Sequence, residues 1–154
     1  MKANPLNMLT FSPTVDTDTR IAILDAAKWL FDMDMLVPVH VRVSKRLKKS
    51  RGFFLPGEGS ITISHDVVET GRTEGIQFVA IHELVHAHQY SQDKTPFARG
   101  VYVRGGPSTK AFNAYLMQRI EREANWWACE FVKERYNIEA NCVAKYRELG
   151  ATEF

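Results

Sequence analysis

Two cysteines in 154 residues, Cys129 and Cys142, are too few for a disulfide framework and form no C-x-x-C pair. Both sit in apolar or mixed helical sequence, and a reducing compartment is the expectation. Neither sign of charge dominates: 20 Lys and Arg stand against 18 Asp and Glu, a net charge of +2. A global electrostatic case for binding nucleic acid or a membrane surface is therefore missing. No apolar run approaches the roughly 20 residues of a transmembrane helix. The first ten residues carry one lysine and no apolar core of signal-peptide length, so the chain reads as cytoplasmic. What is present, 45% hydrophobic and 25% charged residues, predicts one domain over residues 1–154 with a core of ordinary size.

One stretch organises the rest. Ile81-His82-Glu83-Leu84-Val85-His86 is an H-E-x-x-H sequence inside an apolar run from Ile76 to Ala87. Two histidines four residues apart on a helix lie one turn above each other, about 6 Å apart at Cβ. Both imidazoles can then reach a single zinc ion. Glu83, beside the first histidine, is placed to act as general base toward a water activated by that metal. A helix with apolar flanks on nearly every side is buried, and buried His and Glu need partners, which a metal supplies.

Residues 1–15, with Pro5 and Pro13, read as an irregular lead-in. Asp16 to Thr19 offer N-caps for a helix running to about Met33. Val37 to Val43 alternate as a half-buried strand, with His40 on its polar face and not a metal ligand. The basic run Lys45 to Arg51 is read as a solvated turn, since no aromatic residues interleave it as a nucleic-acid surface would require. Residues 52–55 and 60–64 read as strands around a Pro56-Gly57-Glu58-Gly59 turn. The second of them is expected at a sheet edge, where an extended peptide could pair with it. His65 is read as a loop residue.

The H-E-x-x-H helix is expected from about Thr73 to Tyr90 or Gln92. His88, some 200° round that helix from His86, is read as a core or rim residue. Residues 91–110 form a loop or flap long enough to cover a cleft. Ser108 caps a single long helix from about Thr109 to Tyr136, and residues 138–149 form a short last helix. The fold class expected is α+β: a small three-stranded sheet packed on the H-E-x-x-H helix and on a second long helix bearing glutamates.

A catalytic zinc takes three protein ligands and keeps one open position. The long helix offers Glu121 and Glu123 on opposite shoulders of its apolar stripe, and periodicity does not choose between them. Tyr90, Tyr102, Arg104 and Tyr115 are all available to stabilise an oxyanion.

His82-Glu83-Leu84-Val85-His86 followed by Glu121-Arg122-Glu123-Ala124-Asn125-Trp126-Trp127-Ala128 resembles the ImmA/IrrE-type metallopeptidases, whose pattern is HExxH and then a helix bearing E-x-x-A-N-x-F-A. Trp127 replaces the family's phenylalanine, and Val85 replaces the usual glycine. The resemblance implies a zincin-like, minimal gluzincin fold with Glu121 as third zinc ligand and Asn125 as the residue orienting a ligand from behind. It also implies a separate transcriptional repressor as the protein substrate. The expected function is that of a zinc-dependent endopeptidase. The alternative is a catalytically silent zinc-containing module that binds a protein partner in the same cleft, and the presence of Glu83 speaks for the enzyme.

Overall fold

The computed structural model describes residues 5–150. In chain order its elements are α1 (Pro5–Met8), β1 (Leu9–Phe11), α2 (Thr17–Asp32), β2 (Val39–Ser44), β3 (Gly52–Leu55) and β4 (Ser60–Ser64). They continue with α3 (His65–Glu69), α4 (Thr73–Gln92), a 3-10 turn at Thr95–Phe97, α5 (Thr109–Met117), α6 (Arg119–Tyr136) and α7 (Asn141–Glu148). The class is α+β, as the alternation of β- and α-periodic segments predicts. No helix among the described residues is long and apolar enough to cross a membrane.

The sheet has four strands, not three, in the order β1-β2-β4-β3. The added strand, β1, lies in what reads as irregular lead-in and pairs in parallel with β2 through Leu9–Val39, Thr10–His40 and Phe11–Val41. Residues 1–4 of that lead-in lie outside the described residues. Three residues are too few for alternation to register, and only pairing with β2 makes them a strand. β2 and β4 are parallel, whereas β3 runs antiparallel to β4. The edge expected at residues 60–64 is therefore misplaced: β4 is an inner strand with all five residues buried, and the edges are β3 beside it and β1 on the far side. His65 opens α3 rather than a loop, behind a Ser64 cap that accepts from Asp66 N.

α4 is the middle of the molecule. It packs on α2, on β3 and β4, and most extensively on α6. From Val79 to Ala87 every one of its residues is buried, which is why its sequence is apolar around the full circumference rather than along one stripe. Val39, Val41 and Val43 of β2 and Ile61 and Ile63 of β4 fill the core with Ile23, Ala26 and Leu30 of α2. A buried amide ties the three large helices together: Gln77 Nε2 donates to Ala22 O and to Asp25 Oδ2, both at 3.0 Å, and its Oε1 accepts from Tyr136.

The long helix expected over 109–136 is two helices. Ser108 caps the first as predicted, accepting from Ala111 N at 3.1 Å. The backbone then turns extended at Gln118, with ψ 139°. No Pro or Gly marks the break. Its cause is tertiary: the Gln118 side chain takes both main-chain groups of Val103, accepting from the N–H at 2.8 Å and donating to the carbonyl at 2.6 Å. The 91–110 segment is thereby clasped to the start of α6.

Candidate metal centre

α4 carries His82 and His86 on consecutive turns, and the first turn of α6 carries Glu121. Packing of these helices brings the three side chains together. His82 Nε2 and His86 Nε2 are 3.1 Å apart, and Glu121 Oε1 is 3.2 Å from the first and 3.1 Å from the second. Ligand atoms about 2.0–2.1 Å from a tetrahedral zinc stand roughly 3.3 Å from one another. The observed triangle matches that to within a few tenths of an ångström. Glu121 is 0% exposed.

The proton arrangement is the stronger observation. His82 Nδ1 lies 2.8 Å from Asn125 Oδ1, and His86 Nδ1 lies 2.8 Å from Gln89 Oε1. An amide oxygen only accepts, so each Nδ1 carries the hydrogen. The orientation of both amides is itself determined by what their nitrogens do. Asn125 Nδ2 donates to the Tyr146 hydroxyl at 2.8 Å, which donates to Leu116 O at 2.9 Å. Gln89 Nε2 donates to Ile120 O at 3.0 Å. In neutral rings both Nε2 atoms therefore present lone pairs, to each other and to a carboxylate. Glu121 Oε2, though 2.8 Å from His86 Nε2, makes no well-directed hydrogen bond. Three electron-rich groups converging in a buried space call for a positive centre among them. A proton on one ring bridges only one of the contacts; a cation at the centre satisfies all three. The donor set therefore fits a divalent metal ion.

The same electrostatics set the titration of the groups. Burial would lower the His82 pKa, but the hydrogen bond to Glu121, the charges of Glu121 and Glu83 and the contact with Asn125 raise it to about 9. Burial works to raise Glu121, and the charges and hydrogen bonds of His86 and His82 overcome it and hold the carboxyl well below the usual range. Glu83 is pushed up by burial, with the two histidines partly opposing. Its Oε1 stands 3.9 Å from His82 Nε2, beside the triangle and outside it.

No family model matches this chain, and no curated protein and no solved structure matches it either. The site must be read from its own chemistry.

The site brings together His82, His86 and Glu121, with Glu83 at its side and Asn125 behind His82. Glu123, the other candidate, is half-buried and outside the group. Tyr102 and Tyr115 stack edge to face, their ring centroids 6.4 Å apart, and both feel the charges of Glu121 and Glu83. Burial, reinforced by Glu121, pushes both hydroxyls up, so they remain O–H donors. Arg104 sits close enough to act on Tyr102. Tyr90 instead belongs to an aromatic cluster with Phe54 and Phe97, at 5.8 and 5.6 Å. His40 is taken up by Thr10 Oγ1 at 2.8 Å, and His88 is half-buried at the rim. His65, Asp66 and Glu69 form a second, largely exposed group, but Asp66 already faces Lys48 at 3.5 Å.

Three contributors escape sequence reasoning. Gln89 stands three residues after His86, a spacing that places it beside the ring and could have been noticed. Tyr146 comes from α7, and no local signal points to it. Gly52, the first residue of β3, lies against α4: a Cβ there would be 2.8 Å from Val79 Cγ1, 2.9 Å from Thr62 O and 3.4 Å from Glu83 Cγ. Only glycine lets the edge strand come this close to Glu83.

Proposed function

We propose that this chain is a zinc-dependent peptidase with a zincin-like site. The observation that supports it best is the convergence of three lone-pair donors, held by tautomer-fixing amides, with an unused buried carboxylate at their side. His82, His86 and Glu121 would hold the ion. Zinc bound there supplies Lewis acidity, polarising a carbonyl oxygen and making water acidic near neutral pH.

The remaining work belongs to side chains. Glu83 accepts the proton of the attacking water and passes it to the leaving amine; its burial raises its basicity and suits it to both steps. Tyr115 and Tyr102 offer neutral O–H donors to the oxygen on which negative charge develops. The outer edge of β3 offers main-chain groups to an extended peptide, and Gly52 allows that peptide to lie over Glu83. The resemblance to ImmA/IrrE-type peptidases adds a repressor protein as the class of substrate.

The test compares the wild-type chain with Glu83→Gln on a library of quenched fluorescent peptides, with zinc content measured in both. One zinc per chain in each protein, with cleavage lowered roughly 10²–10⁴-fold in the variant, is the expected result. Zinc in both proteins without cleavage by the wild type would favour the silent interaction module. No zinc in either would overturn the reading.

A further inference from the structure

Cys129 and Cys142 take no part in the chemistry above, yet α6 and α7 bring them together. They are 13 residues apart in sequence and their Sγ atoms are 2.8 Å apart. Among the described residues no His, Asp, Glu or further Cys completes a metal-binding group with them. Two sulfurs in contact with no other ligand have one characteristic reaction, closure to an S–S bond of about 2.05 Å.

The surroundings divide the roles. Cys142 is half-buried and Cys129 buried, so an oxidant reaches Cys142 first. The hydrogen bond from Cys129, helped by main-chain N–H groups in the first turn of α7, holds the Cys142 thiol down, and the same bond together with burial pushes Cys129 up. Cys142 is thus the more exposed thiol and the readier to ionise and attack, and Cys129 the resolving thiol.

The place of the pair gives the reaction a consequence. Tyr146 is the only buried residue of α7, one turn after Cys142. It anchors the helix through Leu116 O and Asn125, and Asn125 in turn orients His82. A covalent link at Cys142 would add a second anchor next to the first.

We propose that Cys129 and Cys142 form a reversible disulfide whose closure pins α7 on α6 and holds Tyr146 against Asn125. The oxidant is a hydroperoxide. The Cys142 thiolate attacks the outer oxygen, the O–O bond breaks, and the sulfenic acid forms as hydroxide or alkoxide leaves and takes up a proton. Cys129 sulfur then attacks the sulfenic sulfur, its thiol proton leaves with the hydroxyl as water, and the S–S bond closes. Two thiols are oxidised by two electrons and one peroxide is reduced; a dithiol reverses the reaction. The thiol chemistry stands apart from the peptidase reading, and only its effect on His82 as a ligand rests on it.

The experiment treats the native full-length chain with a small excess of hydrogen peroxide, then denatures and alkylates it. The expected result is loss of both alkylatable thiols, a mass lower by ~2 Da in a species with no intermolecular link, and reversal by dithiothreitol. The melting temperature should rise by roughly 5–10 °C, and hydrogen exchange should slow across residues 141–149. Cys142→Ser should leave Cys129 unreactive and abolish both shifts. Persistence of both thiols, oxidation ending in sulfinic acid or in linked dimers, or a disulfide that leaves exchange in α7 unchanged would each overturn the proposal. None of these readouts needs a bound metal, so failure here and failure of the peptidase reading are distinguishable.

Discussion

Binding of zinc to the metal-stripped chain should expel a proton, and the number expelled is set by His82. With its pKa raised to about 9, this ring is ~99% protonated at pH 7, whereas an unperturbed histidine at 6.5 would be ~25% protonated. An ion at Nε2 must displace that proton, so His82 alone gives up about one proton per zinc at pH 7 instead of about a quarter. The apparent affinity should then climb close to tenfold per unit from pH 7 to about pH 8 and begin to level off toward pH 9. The stability of the metal-free protein should move the other way. A raised histidine pKa contributes stability that is fully present below about 6.5 and is lost as pH rises through about 9; the shift from 6.5 corresponds to on the order of 3 kcal/mol. Calorimetric titration of zinc in buffers of differing ionisation enthalpy reads the proton count directly. Release of a quarter of a proton or less at pH 7, or an affinity flat from pH 7 to 9, would refute the electrostatic account of the triangle.

Three further outcomes follow from the geometry. Glu121→Ala should abolish zinc retention while Glu123→Ala leaves it intact, measured by metal content after gel filtration; the reverse would place the third ligand on the other shoulder of α6. Asn125→Ala and Gln89→Ala should each weaken zinc binding by roughly 10–100-fold, because each frees a ring to change tautomer and rotate; unchanged competition against a chelator would remove the amides from the site. Gly52→Ala should lower stability by about 1–3 kcal/mol, since its Cβ would meet Val79 and the Thr62 carbonyl below 3.0 Å; a melting temperature equal to wild type would show that β3 has room to retreat.

The legible parts of the molecule are those written in local periodicity. The H-E-x-x-H helix is apolar on all sides because all sides are buried, so its extent, Thr73–Gln92, could be read from composition alone. Alternating valines placed β2, and Asp16 and Ser108 announced two helix starts through their capping oxygens. Helical arithmetic left Glu121 and Glu123 equivalent, and the packing of α6 on α4 decides between them. β1 was hidden because a three-residue strand has no period of its own. β4 was misplaced to the edge because it is short and stands just before the motif helix in sequence, while its true position follows from pairing with β2 and β3. The interruption at Gln118 left no trace because its cause, the backbone of Val103, is 15 residues away.

That interruption reaches further than the flap it fastens. In an unbroken helix the Leu116 carbonyl would accept from Ile120 N–H, but the extended backbone at Gln118 turns that donor away and leaves the carbonyl to the Tyr146 hydroxyl. Tyr146 then accepts from Asn125, and Asn125 accepts from His82 Nδ1. Three hydrogen bonds thus connect a fault in a helix to the choice of which imidazole nitrogen faces His86 and Glu121. Healing the fault would return main-chain partners to the N–H groups that open α6, each bond worth about 1 kcal/mol, and leave His82 without its instruction. The irregularity is part of the candidate metal site.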